Sequence, residues 1–128
     1  MQRPALLIDM QNDFVPEGRP LRVAAVIDEL TPREGESLIP KIRLSAFIVT
    51  GPDLMHPSLR CTDIVVCGVR TPNCIRTTAF EATAYNSPVV LAGDATGART
   101  GEIHEANARD MKNSGVRIVT TQVLIATL

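Results

Sequence analysis

Four short apolar runs, Ala5 to Ile8, Ile64 to Cys67, Val89 to Ala92 and Val116 to Val119, constrain this chain more than any other feature. They run apolar with little alternation, the pattern of parallel strands covered on both faces rather than of strands with one face in water. Between the second and third the spacing predicts a helix opened at Thr71. Between the third and fourth it predicts another from about Gly101 to Asn113, stopped by Gly115 in a left-handed cap. The order βαβαβ with right-handed crossovers describes a mostly parallel, Rossmann-like sheet in a doubly wound α/β sandwich of three layers. With 128 residues, 1 to 128 reads as a single domain.

The first half is less regular. Pro16, Pro20, Pro32, Pro40, Pro52 and Pro57 leave room only for brief elements: one or two helical turns over Ala24 to Leu30 and a short strand over Ser37 to Lys41. Pro57 ends any helix begun near Thr50. The sheet therefore looks abbreviated in this half.

Composition narrows the function. A formal charge of -1, from 13 basic and 14 acidic side chains, makes no field that would collect nucleic acid or an anionic membrane. Aromatic residues make up 3% and tryptophan is missing, so Phe14, Phe47, Phe80 and Tyr85 are the rings available for stacking, too few for a nucleic-acid platform. No apolar run reaches membrane-spanning length, and MQRPALLIDMQNDF turns polar after four apolar residues, unlike a signal peptide. A cytoplasmic setting is expected, and with it three reduced thiols, Cys61, Cys67 and Cys74, of which the first two read as packing residues.

Cys74 stands apart. In GVRTPNCIRTTAFEA, Thr71 can cap the helix through its hydroxyl and Pro72 suits the first helical position. Cys74 then lies in the first turn, where unpaired N–H groups and the helix dipole favour an anion and so a nucleophilic thiolate. A small residue packing helix against sheet would occupy the same place equally well. Asp9, directly after the first strand, shares the carboxyl edge of a parallel sheet with Cys74. Lys41, after Leu38, Ile39 and Pro40, ends the brief segment before the middle of the chain. A thiol with a carboxylate base and an ammonium nearby is a sufficient set for attack on a carbonyl, although singly Asp9 reads as a loop carboxylate and Lys41 as a surface charge.

These residues resemble the isochorismatase-like hydrolases, the cysteine hydrolase or nicotinamidase-like superfamily. LLIDMQNDF at 6 to 14 is similar to its opening strand, LIPKIRLSAF at 38 to 47 to its lysine motif, and VVCGVRTPNCIRTTAFEA at 65 to 82 to its nucleophile motif. VVLAGDATGARTGEIHEAN and GVRIVTT follow in the same order. The resemblance implies a triad: Asp9 takes the proton of Cys74, Lys41 supports both charges, and Cys74 attacks a small-molecule amide to give a thioester that water then cleaves. It implies an oxyanion hole from the backbone N–H groups of Arg70 and Cys74, and a cis peptide in that turn at the bond from Val69 to Arg70. Cysteine at 74 favours amide chemistry over the vinyl-ether cleavage of members that differ there. Phe14 and Phe47 are candidate walls of the substrate pocket, or else core.

Nicotinamidases of the family add a metal held by an aspartate and histidines between the first strand and the lysine motif. No histidine lies there in this chain, and His56 and His104, elsewhere, read as surface or helix-end residues, so neither metal nor other cofactor is expected. Members often form dimers or tetramers, which allows a homo-oligomer. The chain departs from the family near Ala25, where a helix, a strand and a long substrate loop are missing, so that the lysine strand either leaves a gap or slides in beside the first strand. A shortened, inactive member serving as an interaction subunit is the alternative reading. Nucleotide binding at GDATGARTGE lacks the glycine spacing after the first strand, and redox sensing by Cys74 lacks a resolving cysteine nearby in sequence.

Overall fold

The computed structural model describes residues 63–127, the short segments 31–36 and 43–47, and the backbone of 5–10. The expected turns at Ala24 to Leu30, the strand at Ser37 to Lys41, the helix limits at Pro52 and Pro57, and the shortened stretch near Ala25 lie outside the described residues.

Among the described residues, four strands form one parallel sheet in sequence order: β1 (Ala5–Met10), β2 (Ile64–Val69), β3 (Val89–Gly97) and β4 (Arg117–Val119). A π-helical turn (Thr71–Ile75) runs directly into α1 (Arg76–Ala84) between β2 and β3. Helix α2 (Gly101–Asn113) joins β3 to β4, and the short α3 (Thr121–Thr127) follows β4. The α/β class and the parallel strands expected from the four apolar runs are therefore present.

Burial explains the uninterrupted runs. Ile64, Val66, Val89 and Leu91 pack with Ile75, Ala79, Ala82, Met111 and Val116 in one core between the sheet and the helices α1 and α2. The intervening Val65, Val90 and Ala92 are buried as well, so both faces of the central strands are out of water and neither needs polar residues. Each fully buried aliphatic side chain contributes about 1.5–3 kcal/mol.

Both long helices end in the same way. At α1, Asn86 N–H donates to Thr83 O and Ser87 N–H to Ala82 O, with Asn86 at φ 59°, a left-handed residue after the last turn. At α2, Gly115 N–H donates to Lys112 O and Val116 N–H to Met111 O, with Gly115 at φ 99° as the sequence predicts. The buried Val116 and Met111 supply the apolar contact that goes with such a stop, which is why the fourth strand starts at Arg117 rather than Val116.

Strand β3 is longer than its apolar run. Two residues of travel along β2, Val66 to Gly68, match five along β3, Leu91 to Thr96. The surplus around Gly93 to Ala95 bulges from the ladder before pairing resumes at Thr96 and Gly97. Asp94, at the crest, accepts hydrogen bonds from Thr121 N–H at 2.7 Å and Thr121 Oγ1–H at 2.8 Å, tying α3 to the sheet.

Candidate active site

Parallel pairing puts Asp9 opposite Gly68 and Met10 opposite Val69, so β1 and β2 finish together at one edge. Gly68 has φ 113°, a conformation that glycine accepts without steric cost, just before β2 ends. The next peptide bond, Val69 to Arg70, is cis, at the position the resemblance implies. The chain then winds into the π-helical turn, where Ile75 N–H reaches back to Arg70 O at 3.3 Å and Asn73 N–H to the same oxygen at 3.2 Å. Cys74 lies within this turn, 6% exposed, and both Cys67 and Cys74 are thiols rather than halves of a disulfide.

Thr71 differs from expectation. It does not cap the helix: Arg70 occupies the cap position, with no side-chain capping bond, and Pro72 falls in the first helical positions. The fully buried Thr71 hydroxyl instead shares a hydrogen bond of 2.8 Å with Nδ1 of His104, in the first turns of α2. His104 is thus no plain surface histidine. A second polar link runs parallel, from the Arg76 guanidinium to the Asp110 carboxylate, with Arg76 also 5.1 Å from the centre of the Phe80 ring. Sequence reasoning missed both links because the partners are more than thirty residues apart, and no local pattern encodes such a pair.

The end of the lysine motif rests on α1. Ala46 N–H donates to Thr78 Oγ1 at 3.2 Å, one helical turn beyond Cys74, and buried Ser45 accepts from Phe47 N–H at 3.0 Å. Phe47 is 2% exposed in the main core, its ring centroid 5.7 Å from that of Tyr85. Tyr85 follows the last residue of α1, so the Phe47 ring packs in the core against the end of that helix. Lys41, Phe14, His56 and Cys61 lie outside the described residues, as does the side chain of Asp9, whose backbone alone is placed.

Electrostatics in the described part are modest. Asp94 is held below the usual carboxylate range by the hydrogen bonds from the Thr121 side chain and then its backbone N–H. Among the described residues no group of three or more His, Cys, Asp or Glu side chains is arranged to hold a metal, and no helix is long and apolar enough to cross a membrane. GDATGARTGE builds structure instead: Asp94 anchors α3, and Thr100 caps α2 by accepting from Ile103 N–H at 3.2 Å.

The arrangement can be set against known proteins. A family model described as the isochorismatase domain matches residues 18–123. A probable inactive nicotinamidase of Arabidopsis thaliana is 44% identical over 76% of this chain and 50% of its own length. The maleamate amidohydrolase of Pseudomonas putida is 30% identical over 88% of this chain and 52% of its own. The chain thus spans about half the length of these curated relatives. A solved isochorismatase-like hydrolase from Alkaliphilus metalliredigens superposes with a TM-score of 0.82 at 26% identity, covering 99% of both chains.

Proposed function

This chain belongs to the isochorismatase-like hydrolase family, and on that premise we propose that it hydrolyses a carbon–nitrogen bond of a small amide through Cys74, working as one domain over 1–128. The observation that carries the reading is the site of Cys74: buried in a helical turn that leaves β2 at the sheet edge where β1 also ends, one residue past Asp9. In this proposal Asp9 removes the thiol proton and the Cys74 sulfur bonds to the amide carbon. Backbone N–H groups of Arg70 and Cys74 hold the developing oxyanion. The carbon–nitrogen bond then breaks and the amine leaves with the proton from Asp9. Water gives one proton to Asp9 as it attacks the thioester, the carbon–sulfur bond breaks to release the acid, which ionises to the carboxylate in solvent, and Asp9 returns its proton to the Cys74 sulfur. Lys41 balances the negative charge on Asp9 and Cys74.

The test is release of ammonia from nicotinamide, maleamate and other small primary amides by the parent and by Cys74→Ala. Turnover should fall on the order of a thousandfold or more in the variant, because the bond-forming atom is gone. Full activity of Cys74→Ala towards every amide the parent cleaves would refute the assignment. A second reading is an inactive scaffold that keeps the fold and joins another subunit; the name of the Arabidopsis relative favours its inactivity alone. A parent that cleaves no amide, with Cys74 alkylated by iodoacetamide no faster than Cys67, supports that one.

A further inference from the structure

We infer that His104 is a positioning residue for the nucleophile turn: through its Nδ1 contact with Thr71 Oγ1 it fixes the π-helical turn that carries Cys74 onto α2. The inference rests on the reading of Cys74 as the nucleophile.

Three helical segments begin near a threonine, and two of those threonines bond their own backbone. Thr100 Oγ1 accepts from Ile103 N–H at the start of α2, and Thr120 Oγ1 accepts from Val123 N–H at the start of α3. The third, Thr71, gives its hydroxyl to another element altogether. Its own turn has no side-chain cap: Asn73 and Ile75 N–H share the oxygen of Arg70 at 3.2 and 3.3 Å, and Arg76 N–H donates to Thr71 O and Asn73 O. Where the other two helices have a threonine cap of their own, this turn has a side-chain tie to a second helix.

The chemistry of the pair suits a permanent tie. A hydroxyl is both donor and acceptor, so it can donate to a bare Nδ1 or accept from a protonated one by rotating its hydrogen. The contact therefore survives either state of the imidazole. Thr71 is fully buried, so losing this partner would strand a hydroxyl away from water and push the turn to rearrange. Cys74 is three residues further on in the same five-residue turn, and a displacement of about an ångström at a reacting atom costs on the order of a hundredfold in rate.

Four forms are compared with the parent: His104→Ala, Thr71→Val, the two combined, and His104→Asn, whose amide can reach the place of Nδ1. Two quantities are read: amide hydrogen exchange of the peptide spanning 70–76, and kcat and KM for maleamate. Exchange in 70–76 should quicken about tenfold in the single variants while β2 and β3 stay protected, the double variant should be no worse than either, and His104→Asn should recover. kcat should fall on the order of tenfold to a hundredfold with KM within about twofold, and recover likewise. Unchanged exchange in 70–76, an increase shared equally by β2 and β3, or local loosening with kcat intact would each overturn the inference. If the parent cleaves no amide, the proposed hydrolase falls, and the exchange arm still decides whether His104 holds the turn.

Discussion

Single residues carry most of what is specific here. Asn86 sits at φ 59° after α1, a region where a side chain with a β-carbon is disfavoured and asparagine is tolerated through its short polar group. Asn86→Ala should cost about 1 kcal/mol in urea unfolding, while Asn86→Gly should match or exceed the parent; equal loss in both would mean that the backbone conformation is not the cause. Gly115 meets the same demand after α2 and was legible in the sequence because it follows an amphipathic helix and precedes an apolar run. The role of Thr71 was not. Thr-Pro before a helix is a capping signal, and only the approach of α2 diverts the hydroxyl to His104.

At the level of elements, β2, β3 and α2 could be read because burial on both faces of the two central strands forces unbroken apolar runs, and because the caps Thr100 and Gly115 are local chemistry. The extension of β3 was hidden. Gly93 and Asp94 are poor strand formers, and they belong to β3 because Thr96 and Gly97 pair again with β2 beyond the bulge. The π-helical turn was hidden too, since its sequence differs in no obvious way from an α-helical start. The bulge gives α3 its anchor. Hydrogen bonds from Thr121 favour the ionised form of Asp94, so the tie is complete above the ordinary carboxylate value of 3.8 and is lost as pH falls through the lower folded value. An NMR titration of the Asp94 carboxyl should give a midpoint below 3.8, and Asp94→Asn at neutral pH should quicken exchange across Thr121–Thr127; a midpoint at or above 3.8 would contradict the anchor.

For the whole molecule, a parallel sheet brings strand ends that are remote in sequence to one edge, which is why Asp9 and Cys74 could be paired on paper and why their strands end together. What topology alone does not supply is the reach of the third group. Lys41 precedes Ala46 by five residues, and Ala46 is fastened to Thr78 one turn beyond the thiol, so the lysine segment is tethered close in sequence to the helix that carries Cys74. The decisive measurement is a crystal structure of the intact chain that locates the Lys41 ammonium and the Asp9 carboxylate relative to the Cys74 sulfur. Both within about 4–6 Å of it is the predicted result. A lysine amine in solvent more than about 10 Å away would contradict the shared chemistry.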